Sequence, residues 1–235
     1  MPYANREFKA ESWSKRTFDG ERFEAVRFTS CDLSRCRFRN CSFTASAFTA
    51  CDLSRTLFDG CRFEEMSFTE CDLGRSVWTF GNAKELEWAE SSLALAQITD
   101  CLLPGLAVRA CDLTKARLEN CMLEGARFEK TLGPGARFLG CNLLGAALEG
   151  CQFRKGIFGG GLFDLTRMAD CDLRHAAFSE IRAAGVEWRH LLLEEATFHE
   201  VVLSGTVEAD DVNPLAVGLV LFPDGHGISD PPPAR

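Results

Sequence analysis

Twelve cysteines are the residues of this 235-residue chain whose number first suggests chemistry. Cysteine at this density is typical of disulfide frameworks or of zinc sites, whose ligands come as C-x2–4-C pairs. Here the smallest gap leaves four residues between neighbours, and every position leaves a remainder of one on division by five. Such a lattice indicates a sequence repeat before it indicates a metal site. The cysteines are Cys31, Cys36, Cys41, Cys51, Cys61, Cys71, Cys101, Cys111, Cys121, Cys141, Cys151 and Cys171.

The other reactive side chains form no pattern that predicts catalysis. Nucleophile elbows, phosphate-binding loops, dinucleotide fingerprints and H-E-x-x-H motifs are absent from the sequence. The four histidines, at 175, 190, 199 and 226, share no ligand spacing. A series of aspartates at 32, 52, 72, 112 and 172 suggests a cation site, but we expect basic residues three positions later to neutralise it. We therefore predict a protein that is not an enzyme and has no catalytic residues, metal or cofactor.

A large apolar residue recurs at every fifth position, two residues after each cysteine and beyond. From Phe8 to Leu203 there are 40 such positions, and only Ala83, Gly133 and Ala183 break the series. This period fits neither an amphipathic helix nor a half-buried strand. Units of five residues cannot bury their own apolar faces, so they must stack into a solenoid.

The repeating unit resembles the pentapeptide-repeat family, whose motif reads roughly A(D/N)LXX. CDLSR at 31–35 and 51–55, CDLTK at 111–115 and CNLLG at 141–145 match it with cysteine in the alanine position. The resemblance implies an all-β fold, a right-handed quadrilateral parallel β-helix in which four units form one coil. Residues 20 apart should then stack, and about ten coils of about 4.8 Å give a rod of roughly 48 Å.

The resemblance also implies which side chains point inward: the central residue of each unit and the residue two positions before it. All twelve cysteines occupy that second position, where a thiol acts as a compact hydrophobe. We therefore expect reduced, buried cysteines that pack the core. Three weak stretches, 78–88, 131–135 and 183–185, are either local bulges or partner-contact loops; bulges are favoured because no residue is inserted.

The composition changes after Leu203, which divides the chain into four predicted parts. These are a lead-in (1–7), the β-helix (8–203), a cap (204–223) and a tail (224–235). Within the cap, Asn213 and Pro214 predict the start of a short helix, and Leu219–Phe222 is a β-prone run. A solenoid needs a cap at each end, which this segment provides either within one chain or against a second copy.

The sequence GLVLFPD at 218–224 resembles the C-terminal end of the gyrase-protecting pentapeptide proteins, the Qnr, MfpA and AlbG group. Those proteins dimerise through this end, so the resemblance implies a homodimer. The interface it implies contains Pro214, Leu215, Val217, Leu219, Leu221 and Phe222.

Charge is concentrated at the same end. Residues 191–235 contain eight acids and one base, which accounts for −7 of the net charge of −8. The overall balance argues against direct nucleic-acid binding, whereas a local acidic field suits a basic cleft of a protein partner. The predicted partner-binding acidic tip consists of Glu194, Glu195, Glu200, Glu208, Asp210 and Asp211.

The family resemblance and this charge predict a DNA-mimicking homodimer that binds DNA gyrase or topoisomerase IV. It would confer resistance to a topoisomerase poison such as a fluoroquinolone or an albicidin-like peptide, as self-resistance in a producer, for example. The alternative is a pentapeptide-repeat interaction scaffold with another partner. The N-terminus lacks an apolar signal segment and the longest apolar run is short, so we expect a cytoplasmic protein without membrane contact.

Overall fold

The computed structural model describes residues 3–209 and 219–222. Within these ranges the regular structure consists of 23 β-strands, all paired in parallel in one continuous ladder, and no helix. The strands are β1 Tyr3–Ala4, β2 Glu7–Lys9, β3 Thr17–Asp19, β4 Arg22–Glu24, β5 Arg27–Thr29, β6 Arg37–Arg39, β7 Ser42–Thr44, β8 Ala47–Thr49, β9 Leu57–Asp59, β10 Arg62–Thr69, β11 Val77–Thr79, β12 Asn82–Ala89, β13 Gln97–Thr99, β14 Ala107–Arg109, β15 Arg117–Glu119, β16 Arg127–Glu129, β17 Arg137–Leu139, β18 Ala147–Glu149, β19 Ile157–Gly159, β20 Arg167–Ala169, β21 Ala177–Leu191, β22 Thr197–Ala209 and β23 Leu219–Phe222.

The pairing confirms the predicted four-sided solenoid. Up to Ala183, each paired residue lies opposite the residue 20 positions later, as in Phe18, Phe38 and Phe58, and the aspartate series forms single bridges in the same register. Four faces result, which we number by their central residues in steps of 20: face I from 13 to 193, face II from 18 to 198, face III from 3 to 203 and face IV from 8 to 188. About ten coils therefore stack along the axis.

The core is a set of side-chain columns inside the four faces. Phe38 and Phe58 are almost completely inaccessible to solvent, and their rings stack at 5.2 Å with an interplanar angle of 9°. Rings on neighbouring faces meet edge to face, as Phe58 and Phe63 do at 5.6 Å and 70°. Both arrangements are favourable for aromatic quadrupoles. Tyr3 stacks on Phe23 at 4.7 Å, so the ladder begins one unit before Phe8.

A corner with positive φ separates each face from the next. Every fifth residue from Asn5 to Glu200 lies in the left-handed region, and 30 of these residues are not glycine. That conformation costs an ordinary residue about 1–2 kcal/mol. Backbone hydrogen bonds to the next coil hold the corners in place; the amide of Arg35, for example, donates to the carbonyl oxygen of Ser54 at 2.9 Å.

The three weak stretches do not extrude loops. Register is unbroken through Asn82–Ala89 and through residues 131–135. Gly133 is required because the ring of Phe153 lies 2.3 Å from the point that a Cβ would occupy. Only the third stretch is a bulge: after Ala183 the register shifts by one residue, so that Val186 pairs with Gly205. A second shift follows Trp188, so that Leu191 pairs with Ala209.

Replacing Phe58 by alanine should lower the free energy of unfolding by about 3–5 kcal/mol, because the cavity lies inside a ring column. Phe80→Ala is the matched control, since Phe80 is 67% exposed, and it should change stability little. Chemical denaturation measures both. Equal effects of the two substitutions would contradict the observed register.

The left-handed corners predict that replacing one of their non-glycine residues by glycine stabilises the folded protein. Ala50 has a φ of 52° and is exposed, so Ala50→Gly should raise the free energy of unfolding by about 0.5–1 kcal/mol through relief of left-handed strain. Ala47→Gly, three residues earlier in β8, removes a half-buried side chain from a strand and should lower it by a similar amount. Denaturant midpoints compare the two variants, and a loss of stability in both would contradict the account of the corners.

Candidate functional site: the terminal coil and the edges of the rod

The terminal coil carries the acids that the sequence singled out. Glu194 and Glu195 are exposed on face I, Glu200 is exposed at the corner after face II, and Glu208 is exposed near the end of β22. The coil therefore distributes these four carboxylates around its perimeter and does not gather them into one cluster. Asp210 and Asp211 lie outside the described residues.

Local contacts on this coil involve histidine as well as acid. His175 Nδ1 lies 2.9 Å from a carboxylate oxygen of Glu195, one coil further on, and His199 Nε2 lies 3.8 Å from Glu200. Glu180 and Glu200 occupy successive corners of the same edge. Negative charge therefore continues from the terminal coil onto the preceding one.

The end of the ladder is covered in part by the chain itself. β23 pairs in parallel with Val201–Ser204 of β22 and so adds one more strand to face III. The predicted strand at Leu219–Phe222 is confirmed, and three predicted interface residues, Leu219, Leu221 and Phe222, lie in it. The predicted helix start at 213–214 and the interface residues Pro214, Leu215 and Val217 lie outside the described residues.

The aspartates of the series on face I accept hydrogen bonds that stabilise the backbone turns. Ser34 donates to Asp32 Oδ1 from its amide at 3.0 Å and from its hydroxyl at 2.7 Å, and these bonds hold the pKa of Asp32 below its ordinary value. The guanidinium of Arg174 donates two bonds to Asp172, at 2.9 and 2.7 Å, and lowers its pKa likewise. Each aspartate thus fixes the turn that follows it, as short acidic side chains do.

The expected pairing of these aspartates with bases three residues later is not made. Within residues 3–209, no ion pair joins Asp32, Asp52, Asp72 or Asp112 to those bases, and His175 contacts Glu195 instead. The basic residues at the corners after face I lie on the edge between faces I and II. They are Lys15, Arg35, Arg55, Arg75, Lys115 and Lys155.

These corner bases belong to a surface that the sequence analysis missed. Together with Arg37, Arg117 and Arg137 at the start of face II strands, they form a line between faces I and II that is interrupted only at the coil of Leu95 and Gln97; we call it the basic edge. Its middle is a groove of about 710 Å³. Reading the charges at a period of 20, as was done for the aspartates, would have found it.

The cysteines all lie in the interior, as predicted, and all twelve are free and buried. Their thiols donate to backbone carbonyls; Cys36 Sγ, for example, lies 3.0 Å from the carbonyl oxygen of Trp13. Burial raises the pKa of both Cys36 and Cys111 to about 11. Thiols that are neutral and enclosed are poor nucleophiles and poor metal ligands.

Metal-ion sites and membrane-spanning helices are two further features that the described residues lack. In residues 3–209 and 219–222, no three His, Cys, Asp or Glu side chains are grouped closely enough to hold a metal ion. The same ranges contain no helix with the length and apolar character that crossing a bilayer requires.

Family models agree with this repeat. The pentapeptide repeat region model matches residues 21–106, and the model of eight pentapeptide repeats matches residues 91–129 and 111–150. Together they span more than half of the chain. This chain belongs to the pentapeptide-repeat family. No curated protein matches it at a significant level.

The solved structure of the pentapeptide-repeat protein HetL shows the same fold. HetL, described as involved in heterocyst differentiation regulation in the cyanobacterium Nostoc sp. strain PCC 7120, superposes with a TM-score of 0.71 at 16% identity, over 86% of this chain and 89% of HetL. A trypsin-treated variant of QnrB1, described as a plasmid-mediated fluoroquinolone resistance protein, gives a TM-score of 0.36 at 17% identity, over 94% of this chain and 92% of that one.

The buried thiols predict slow chemistry. On average, fewer than one cysteine per native molecule should react with a thiol reagent over minutes, whereas all twelve should react in denaturant. Raising the pH from 7 to 9 should accelerate native labelling of Cys36 and Cys111 little, because burial raises the pKa of both to about 11. The absorbance of the coloured thiolate that an aromatic disulfide reagent releases measures the rate of labelling. Rapid labelling of several native thiols would contradict the buried packing of the cysteines.

Proposed function

We propose that this pentapeptide-repeat protein is a cytoplasmic homodimer that binds a bacterial type II topoisomerase, DNA gyrase or topoisomerase IV, by mimicking DNA. In this proposal it acts by binding and performs no catalysis. It protects the topoisomerase from a poison, either a fluoroquinolone or an albicidin-like peptide, and could serve a producing organism as self-resistance.

The observation that carries the proposal is the position of the charge. The rod is nearly neutral until its last coils, and residues 191–235 hold −7 of the net −8. The exposed carboxylates of the terminal coil surround its perimeter. A low-dielectric rod ending in negative charge produces a local field that attracts a basic cleft built for DNA phosphates.

Dimerisation would complete the mimic. Two copies joined at their C-terminal ends would place their acidic ends on either side of a two-fold axis, with one rod extending away from the axis on each side. The sequence at 218–224 supports this arrangement through its resemblance to the gyrase-protecting group, and β23 is the strand of that segment at the end of face III. The joined rods would measure roughly twice 48 Å.

The test is a plasmid supercoiling assay with purified gyrase, with and without a fluoroquinolone and, in parallel, albicidin. The wild-type protein should restore supercoiling in the presence of at least one poison. Glu194→Lys, Glu195→Lys, Glu200→Lys and Glu208→Lys combined should abolish this protection, because like charges would face the basic cleft. Higher salt should weaken the wild-type interaction as the Debye length falls below about 10 Å.

The matched control reverses four exposed acids on face III, away from the terminal coil: Glu24, Glu65, Glu85 and Glu124. This variant has the same net charge and should still protect. Equal loss in both variants would place recognition in net charge alone. Failure of the wild-type protein to bind either topoisomerase would overturn the proposal in favour of a scaffold with a different partner.

A further inference from the structure

The groove in the middle of the basic edge has the composition of a binding site. Nine residues line it: Arg75, Leu95, Gln97, Lys115, Arg117, Gly135, Arg137, Lys155 and Ile157. Five of these are cations and none is acidic. The groove extends over the coils from Arg75 to Lys155, four steps of about 4.8 Å, or about 19 Å. A surface of one charge sign at this density attracts anions.

The groove cations form no ion pair, whereas a minority of the other cations in residues 3–209 do. On face IV, Arg109 lies between Glu87 at 3.2 Å and Glu129 at 3.6 Å, and Arg167 pairs with Glu187 at 3.3 Å. Within residues 3–209, none of the five groove cations forms an ion pair. They are Arg75, Lys115, Arg117, Arg137 and Lys155.

Two of the cations are also placed against each other. Arg117 of β15 and Arg137 of β17 are direct partners in the parallel ladder. Like charges directly opposite on neighbouring strands are destabilising, and an anion bound between them removes that cost. The arrangement is therefore a second, independent sign of an anionic ligand.

Apolar side chains between the cations narrow the class of ligand. Leu95 is 41% exposed at a corner where basic residues stand on either side, and Ile157 is half-buried at the far end of the groove. A phosphodiester backbone has no apolar group that could pack against Leu95 and Ile157. Single-stranded nucleic acids use aromatic platforms, and none of the nine lining residues is aromatic.

Spacing favours a helical ligand over an extended one. Carboxylates on one face of an α-helix recur about every 5.4 Å, so four turns extend about 22 Å, close to the 19 Å of four coils. An extended peptide repeats its side chains on one face every 6.7 Å or so and would drift by a whole coil over the same distance. The flexible stems of lysine and arginine can absorb the smaller mismatch.

The surrounding charge favours a short ligand. Glu119 follows Arg117 by two residues on β15, and Asp112 lies at the opposite edge of face I, where Thr114 donates to it. Residues 191–235 carry −7 of the net charge of −8, so a polyanion long enough to reach the terminal coil is repelled there. A short acidic segment bound within about 8–10 Å of the basic edge, which is one Debye length, is attracted mainly by that edge, because salt screens the more distant carboxylates.

We propose that this groove binds an acidic amphipathic α-helix of a partner protein, with its carboxylates on the five cations and its apolar residues on Leu95 and Ile157. The site is separate from the acidic terminal coil, so it can be present whether or not the protein binds a topoisomerase.

The test uses the full-length protein and a fluorescein-labelled synthetic 16-residue helix with glutamate and leucine at i and i+4 along one face. Fluorescence anisotropy should detect binding that weakens as salt rises. Lys115→Glu, Arg117→Glu, Arg137→Glu and Lys155→Glu combined should weaken it at least tenfold, and Leu95→Gln alone should weaken it several-fold. A scrambled peptide of the same composition should bind less tightly.

The control variant reverses four exposed arginines on faces III and IV: Arg22, Arg27, Arg62 and Arg127. It has the same net charge as the groove variant and should bind the helix within twofold of wild type. Thermal melting establishes that both variants are folded. Three results would overturn the proposal: equal loss in both variants, no binding at low salt, or tighter binding of an oligo-dT strand than of the helix.

Discussion

Hydrogen bonds between coils are the interaction on which the rest of this protein depends. The amide of Leu33 donates to the carbonyl oxygen of Asp52 at 2.7 Å, and that of Leu53 donates to Asp72 at the same distance. This pattern can repeat only if every coil contains the same number of residues. Backbone donors and acceptors are otherwise left unpaired in the interior, at a cost of the order of a whole hydrogen bond each. The constant coil length therefore determines which side chains stack, and with them the core and both charged surfaces.

The period of five predicted a stacked solenoid, and the family resemblance implied its four faces and its inward positions. Together they identified the core, because a solenoid converts sequence distance directly into position. The exceptions needed coordinates. Gly133 looks like a gap in the apolar series, yet it is the neighbour that gives the ring of Phe153 its space. The turn bonds accepted by Asp32 and Asp172 depend on side-chain rotamers, which the repeat does not specify.

The surface was predicted less completely than the core. Net charge indicated an acidic end, and the described carboxylates are exposed there. Net charge also concealed the basic edge, because acids on other faces cancel it in the sum. Arg109 is paired with two glutamates, whereas Arg117 lies opposite Arg137 in a groove whose lining contains no acid, although both are exposed arginines on strands. This difference depends on which side chains are neighbours in space, which a sum of charges does not report.

The bulge after Ala183 also limits how far the rod can grow. A parallel ladder with identical coils offers each end as a template for another chain, and the outcome of such addition is a fibre. From Val186 to Trp188 the partner strand is displaced by one residue, and at Leu191 it is displaced by two. Gly205 lies where a Cβ would come within 2.2 Å of the carbonyl oxygen of Val186. A further copy arriving at this end meets side chains shifted out of their columns. The shifted register, together with β23 already paired to Val201–Ser204, leaves less of this end open to the edge of another chain.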